Sequence, residues 1–169
     1  IEAGRFTQTS TNAQDVSYTV VTDKLPQLKE LTYESLNQKG QYILANLTPE
    51  TEYLKRYATA WVNSYAAFKE YPIKNDRIFF NAPAVIFVTS PNAFNGGLAS
   101  SNMELMTDAL GLGTFFSGFI QIASKDNKEI LDLLGINDSN QIVSCLVIGY
   151  PDVKYKRTVP RKKANINWL

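Results

Sequence analysis

Two short, continuous apolar runs constrain this chain most. "PAVIFVTS" (83–90) and "IVSCLVIG" (142–149) lack the alternation of a half-exposed strand, so each reads as a strand buried on both faces. "VSYTVVTD" (16–23) has the β-branched and aromatic content of a further strand. Between the strands lie segments with helical periodicity. "LPQLKELTYESLNQ" predicts a helix with Asp23 near its cap and Pro26 in its first turn. Thr48 and Pro49 open a longer one, where Leu54, Tyr57, Trp61, Tyr65 and Phe68 make one apolar stripe. "SSNMELMTDALG" predicts another, with Ser101 and Glu104 at capping-box spacing. Ala99, Met103, Met106 and Leu110 line one of its faces, and Gly111 ends it as a left-handed cap. "SKDNKEILDLLG" predicts a last helix, with Ser124 as its cap and Gly135 as its stop. This interleaving points to an α/β or α+β fold. No composition break or repeat divides residues 1–169, so one domain is expected.

Composition narrows the chemistry. The net charge of +1 gives no electrostatic case for a nucleic-acid partner. No apolar run is long enough to span a membrane and no signal-peptide pattern opens the chain, which makes a cytoplasmic setting the expectation. The chain has no histidine, which removes histidine triads, histidine zinc sites and imidazole acid–base schemes. Its one cysteine, Cys145, sits in an apolar run and reads as a core thiol. If the chain is an enzyme, a cofactor should carry the chemistry.

The stretch "ALGLGTFFSG" raises the question of a phosphate-cradling loop, because Gly111, Gly113 and Gly118 fall close together. A dinucleotide fingerprint follows a strand and opens a helix. Here the run follows a predicted helix, and four residues separate Gly113 from Gly118. The dinucleotide reading fails.

Three collinear segments carry a resemblance instead: "AGRFTQTSTNAQDVSYTVV", then "NAPAVIFV" with the helix ending in "ALGLGTFFSGF", then "LVIGYPDVKYKRTVPRKKANINWL". In this order the chain resembles the FMN-dependent nitroreductase family, nearest the branch often joined to a ferredoxin-like segment. The resemblance implies an α+β fold, with a central, mostly antiparallel sheet wrapped by helices. It also implies a homodimer that exchanges C-terminal segments and binds FMN at its interface.

The turn "TQTSTNAQ" is similar to the family's proline-serine-x-x-asparagine-x-glutamine turn, which contacts flavin. Thr9 stands at the serine position with Ser10 beside it, Asn12 and Gln14 stand at the amide positions, and Gln8 replaces the proline. Read from the residues alone, the two amides equally well satisfy the turn's own backbone. The loop "GTFFSGF" is similar to the segment lying along the isoalloxazine ring, which nominates Thr114, Phe116, Ser117 and Gly118; Phe115 and Phe119 read as core aromatics. "KNDRIFF" nominates Asn75 and Arg77 in the same way. Six positive charges between Lys154 and Lys163 read either as a solvated tail or, by resemblance, as the phosphate site, with Arg157 and Arg161 as the best forks. The resemblance also implies an N-terminal helix with an arginine-serine-x-arginine motif, and "IEAGRF" stands where the family's second helix would be ending. That half of the site is therefore expected either on residues preceding these or from another source.

The implied activity is an FMN-dependent oxidoreductase. It would take electrons from NAD(P)H or a ferredoxin-type donor and give them to a nitroaromatic, quinone or similar planar acceptor. The alternative is a flavin-binding or interaction domain without turnover. Neither needs a nucleic acid or a membrane.

Overall fold

The two continuous apolar runs become the two central strands of a sheet. In the computed structural model, which describes residues 1–169, the strands are β1 (Ser17–Val21), β2 (Ala84–Thr89), β3 (Gly113–Phe116) and β4 (Ile142–Gly149). Their order is β1–β2–β4–β3, and every neighbouring pair is antiparallel. The central strands are therefore covered on both faces. Val85, Phe87, Cys145 and Val147 enter the larger core, whereas Ile86, Val88 and Leu146 enter a smaller one on the opposite face.

Helices α2 (Leu25–Ala45), α3 (Lys55–Glu70), α5 (Gly118–Ser124) and α6 (Lys128–Leu134) supply Leu28, Leu36, Trp61, Phe68, Ile120 and Ile130 to the larger core. Helix α4 (Ala93–Ala109) covers the other face with Met103, and the single turn α1 (Glu2–Arg5) lies on α4. Close approach of α4 to the sheet requires glycine at one point: a Cβ on Gly96 would sit 2.6 Å from Val143 Cγ2. Ser100 Oγ and Ser144 Oγ, 2.6 Å apart, tie the same two elements. The result is an α+β fold with a mostly buried antiparallel sheet between helical layers. No helix is long and apolar enough to cross a membrane.

β1, β2 and β4 fall where their composition places them, β3 forms in a segment read as a loop, and three helix starts differ. Helix α4 begins at Ala93, not near Ser101, because Asn92 Oδ1 accepts from Phe94 N (3.0 Å) and caps it there. Ser101 and Glu104 are exposed mid-helix residues and form no capping box; Met106 and Leu110 are exposed as well. Helix α6 is capped by Asn127, whose Oδ1 accepts from Ile130 N, while Ser124 closes α5. Helix α3 starts at Lys55 after a 3₁₀ turn, and Tyr57 faces solvent. Gly111 (φ 72°) and Gly135 (φ 67°) are left-handed, as a glycine stop requires.

One buried polar cluster joins α2, α3 and the approach to β2. Asp76, 3% exposed, accepts from Lys29 Nζ (2.6 Å), Tyr33 Oη (3.2 Å), Phe79 N (2.9 Å) and Asn81 N (3.0 Å). Tyr33 Oη accepts in turn from Arg77 N (2.8 Å), and the Tyr33 ring stacks on Phe68 at 3.9 Å. Removing the carboxylate would strand a partly buried ammonium and two backbone donors. Asp76→Ala should therefore cost about 3–5 kcal/mol in urea unfolding, far more than the exposed Lys69–Glu30 pair.

Burial pushes the Cys145 thiol up, and burial with the Asp76 charge does the same to the Tyr33 phenol. Both groups keep their protons in the fold at pH values where the unfolded chain loses them. That contribution is complete below an unfolded thiol value of about 8.5 and falls away as pH rises. Between about pH 8.5 and 10 the loss should approach about 1.4 kcal/mol per pH unit. Cys145→Ala should flatten this limb, leaving the decline from the raised phenols, Tyr33 foremost with Tyr18 and Tyr65, above about pH 10, as read by urea unfolding at stepped pH.

Candidate functional site

The turn before β1 holds three non-glycine residues in left-handed backbone, of which only Asn12 is of a type that readily adopts it. Thr11, Asn12 and Gln14 have φ of 54°, 55° and 50°, a conformation that costs energy unless the surroundings hold it. Thr9 Oγ1 accepts from Gln14 N (2.9 Å), which closes the turn on itself. Asn95, fully buried in the first turn of α4, accepts from Ser10 N at Oδ1 (2.9 Å) and donates from Nδ2 to Asp15 Oδ1 (2.8 Å). The side chains of Asn12 and Gln14 stay exposed and share one long hydrogen bond, Gln14 Nε2 to Asn12 Oδ1 (3.4 Å). That pairing leaves an amide donor on Asn12 and an acceptor on Gln14 facing out.

The second candidate segment runs from β3 into α5. Ser117 is buried and structural: its N–H donates to Cys145 O (2.8 Å), and its Oγ caps α5 by accepting from Ile120 N (3.4 Å). Gly118 is exposed, and no atom lies within 4 Å of where its Cβ would stand, so the turn opens on free space. The glycine run thus differs in part from its sequence reading, since Gly118 does follow a strand and open a helix. That strand is antiparallel, however, so no parallel βαβ unit forms and the dinucleotide reading stays excluded. Phe116 is exposed. Phe115 packs edge-to-face on Phe80 (5.5 Å) and Phe119 on Trp61 (6.0 Å). Thr114 Oγ1 is enclosed without a hydrogen-bond partner.

Topology brings two of the nominated groups to one end of the sheet. That end holds the start of β1, the end of β2 and the start of β4, where Ser17, Thr89 and Ile142 follow in register. The turn holding Thr9, Ser10, Asn12 and Gln14 reaches it through Asn95 and α4, and Gly96 there touches Val143. Ser117 and Gly118 reach it from the other side, and Gln121 Nε2 donates to Ile142 O (2.8 Å). Asn75 and Arg77 lie at the opposite end, beside the Asp76 cluster and the approach to β2. Asn75 Nδ2 caps the end of α3 by donating to Ala67 O (2.8 Å), while the Arg77 side chain is exposed. Arg157 and Arg161 are exposed on the segment after β4, which has no helix or strand and no buried residue.

Asn95 escaped the sequence reading although it holds the turn. Its signal is a polar residue at i−4 from Ala99 and i−8 from Met103, on the face that α4 buries.

Sheet, layers and polar turns define an α+β protein with exposed polar turns at one sheet end. The chain belongs to the Nitroreductase family, whose family model matches residues 1–150. No curated protein sequence matches it. Its fold is similar to that of a nitroreductase with bound FMN from Desulfitobacterium hafniense DCB-2, at 18% identity over 98% of this chain and 83% of the other, with a TM-score of 0.62. An FMN-bound iodotyrosine deiodinase carrying 3-iodo-L-tyrosine matches at 19% identity over 99% and 83%, with a TM-score of 0.63. An FMN- and NADPH-dependent nitroreductase variant derived from a Sphigopyxis strain matches at 19% over 96% and 81%, also at 0.63.

If Asn95 holds the turn, Asn95→Ala should unpair Ser10 N and Asp15 and cost about 1–3 kcal/mol. Amide exchange should then quicken first in residues 9–15, with the β2–β4 ladder protected until global unfolding.

Proposed function

We propose that this chain is a subunit of an FMN-dependent oxidoreductase, taking electrons from NAD(P)H or a ferredoxin-type donor and delivering them to a nitroaromatic, quinone or similar planar acceptor. The observation that carries this reading is that the exposed amide turn at residues 9–14 and the unobstructed Gly118 turn both stand free at the same end of the sheet, on its two opposite faces. Family membership and the FMN named for the similar structures support the cofactor; the NADPH-dependent nitroreductase supports the nicotinamide donor.

The residues fit a flavin. Asn12 and Gln14 offer one donor and one acceptor, which suits the alternating carbonyls and N–H of the ring edge. The exposed Gly118 N–H approaches without side-chain hindrance, and Phe116 offers an exposed aromatic face. Thr114 Oγ1 is enclosed in β3, so its hydroxyl stands behind the segment and not at the ring. Arg157 and Arg161 carry planar guanidinium forks for a phosphate. When bound, flavin supplies reversible acceptance of two electrons, and the protein groups orient it and tune its edges. Asn75 and Arg77 would reach the same cofactor only from the far end of the sheet.

A two-fold dimer accounts for two further features. Helix α4 leaves Phe94, Leu98 and Leu105 exposed on one face, and Trp168 is 90% exposed at the end of the tail. A second copy would cover both and bring one chain's residues 9–14 towards the other's Gly118.

Purified protein mixed with FMN and desalted should keep a yellow flavin spectrum. Arg161→Ala should weaken retention about tenfold, the effect of losing one charge-assisted phosphate contact. NADPH should bleach the flavin anaerobically, and menadione should restore its colour. Cutting after Pro160 should reduce both retention and dimer content in sedimentation. A monomeric protein that takes up no FMN would end this reading.

A further inference from the structure

A groove on the α2–α3 side is claimed by nothing described so far. It holds about 410 Å³ and is lined by Gln38, Lys39, Tyr42, Ile43, Trp61 and Ile122. Its walls are apolar and partly aromatic, and Tyr42 is 72% exposed beside it. Its polar groups are few. Gln38 Nε2 donates to Glu34 Oε1 (3.0 Å), which leaves the Gln38 carbonyl free. Lys39 Nζ donates to Lys125 O (2.9 Å) and has no carboxylate within salt-bridge range, unlike Lys29, Lys55, Lys69 and Lys128. An ammonium with spare donors and no counter-charge favours an anion at the groove's rim.

We propose that this groove binds a flat one- or two-ring aromatic carrying a single carboxylate. The ring would lie between Tyr42, Ile43 and Ile122 and against Trp61, and the carboxylate would take the free N–H groups of Lys39. The volume falls within the range of small-molecule sites, and aromatic walls with one charged group suit such a ligand. The indole N–H of Trp61 is enclosed and unpaired, so Trp61 contributes its ring and no hydrogen bond. The Trp61 ring meets Phe119 edge-on (6.0 Å, 84°), and Phe119 directly follows Gly118. An occupied groove therefore braces the turn that opens at the sheet end.

The test uses the full chain without flavin, so its result is separate from that of the FMN reading. The chain has two tryptophans, and Trp168→Phe leaves Trp61 as the only indole reporter. Titration with 2-naphthoate should change Trp61 emission saturably, and the neutral 2-naphthamide should bind about tenfold more weakly, the value of one charge-assisted hydrogen bond. Lys39→Met should weaken the acid about tenfold and leave the amide unchanged. Tyr42→Ser, at an exposed position that does not threaten folding, should weaken both. Equal affinity for acid and amide, equal affinity after Lys39→Met, or no saturable change in emission would overturn the proposal.

Discussion

The Asp76 carboxylate is the point on which the larger core turns. It is a charge taken out of water, and each partner that offsets this cost belongs to a different part of the chain: Lys29 and Tyr33 from α2, Phe79 N and Asn81 N from the crossing into β2. Such a charge is tolerated only when every oxygen is occupied, so the cluster admits one arrangement of these elements. Tyr33 extends the constraint by stacking on Phe68 of α3 and receiving the backbone of Arg77. The α2–α3 pair and the start of β2 are thereby fixed together, and β2 positions its neighbours through the antiparallel ladder. Hydrophobic burial supplies most of the driving force here, but it has no direction. The carboxylate supplies the direction.

The two central strands were legible because burial on both faces leaves a largely apolar composition, unbroken in β2 up to Thr89 and interrupted in β4 only by Ser144, whereas the short β3 was read as a loop. Helix α4 was half legible. Its second half has helical periodicity, but its first turns contain Asn95, Gly96 and Gly97, poor helix formers by intrinsic preference. Tertiary demands outweigh that preference, because Gly96 admits Val143 and Asn95 holds the preceding turn. Capping by Asn92 and Asn127 was missed because nearby Ser and Asp residues compete for the same role in any sequence-only reading. Nothing local decides between them; the direction of chain entry does.

For the candidate site, the turn at residues 9–14 and the Ser117–Gly118 segment were nominated through resemblance, and the fold gathers them at one sheet end. Residue type alone could not have paired them, because over a hundred positions separate Asn12 from Gly118. Only the strand order directs both towards the same sheet end, on opposite faces. Asn75 and Arg77 show the reverse: they carry suitable groups, but the fold gives the Asn75 amide to the end of α3 and seats both beside the Asp76 cluster. Ser117 is a mixed case, nominated for a ligand and occupied as a helix cap. A polar residue beside an open glycine is readable in sequence, whereas its prior engagement with the backbone is not.

The strand order has a consequence for how the chain is made. β4 is the last strand to leave the ribosome, yet it lies between β2 and β3 and pairs with both. Until residue 149 has emerged, β2 has only the short β1 beside it, and β3 has no partner at all. Nearly all pairings in the sheet span long stretches of chain, which places the cost of loop closure early and the stabilisation late. A nascent chain of this protein therefore carries a strongly apolar β2 without its central partner from its own emergence until β4 is complete. The helical pair α2–α3, which closes on itself through local contacts and the Tyr33–Phe68 stack, is the one preformed surface on which that strand can shelter.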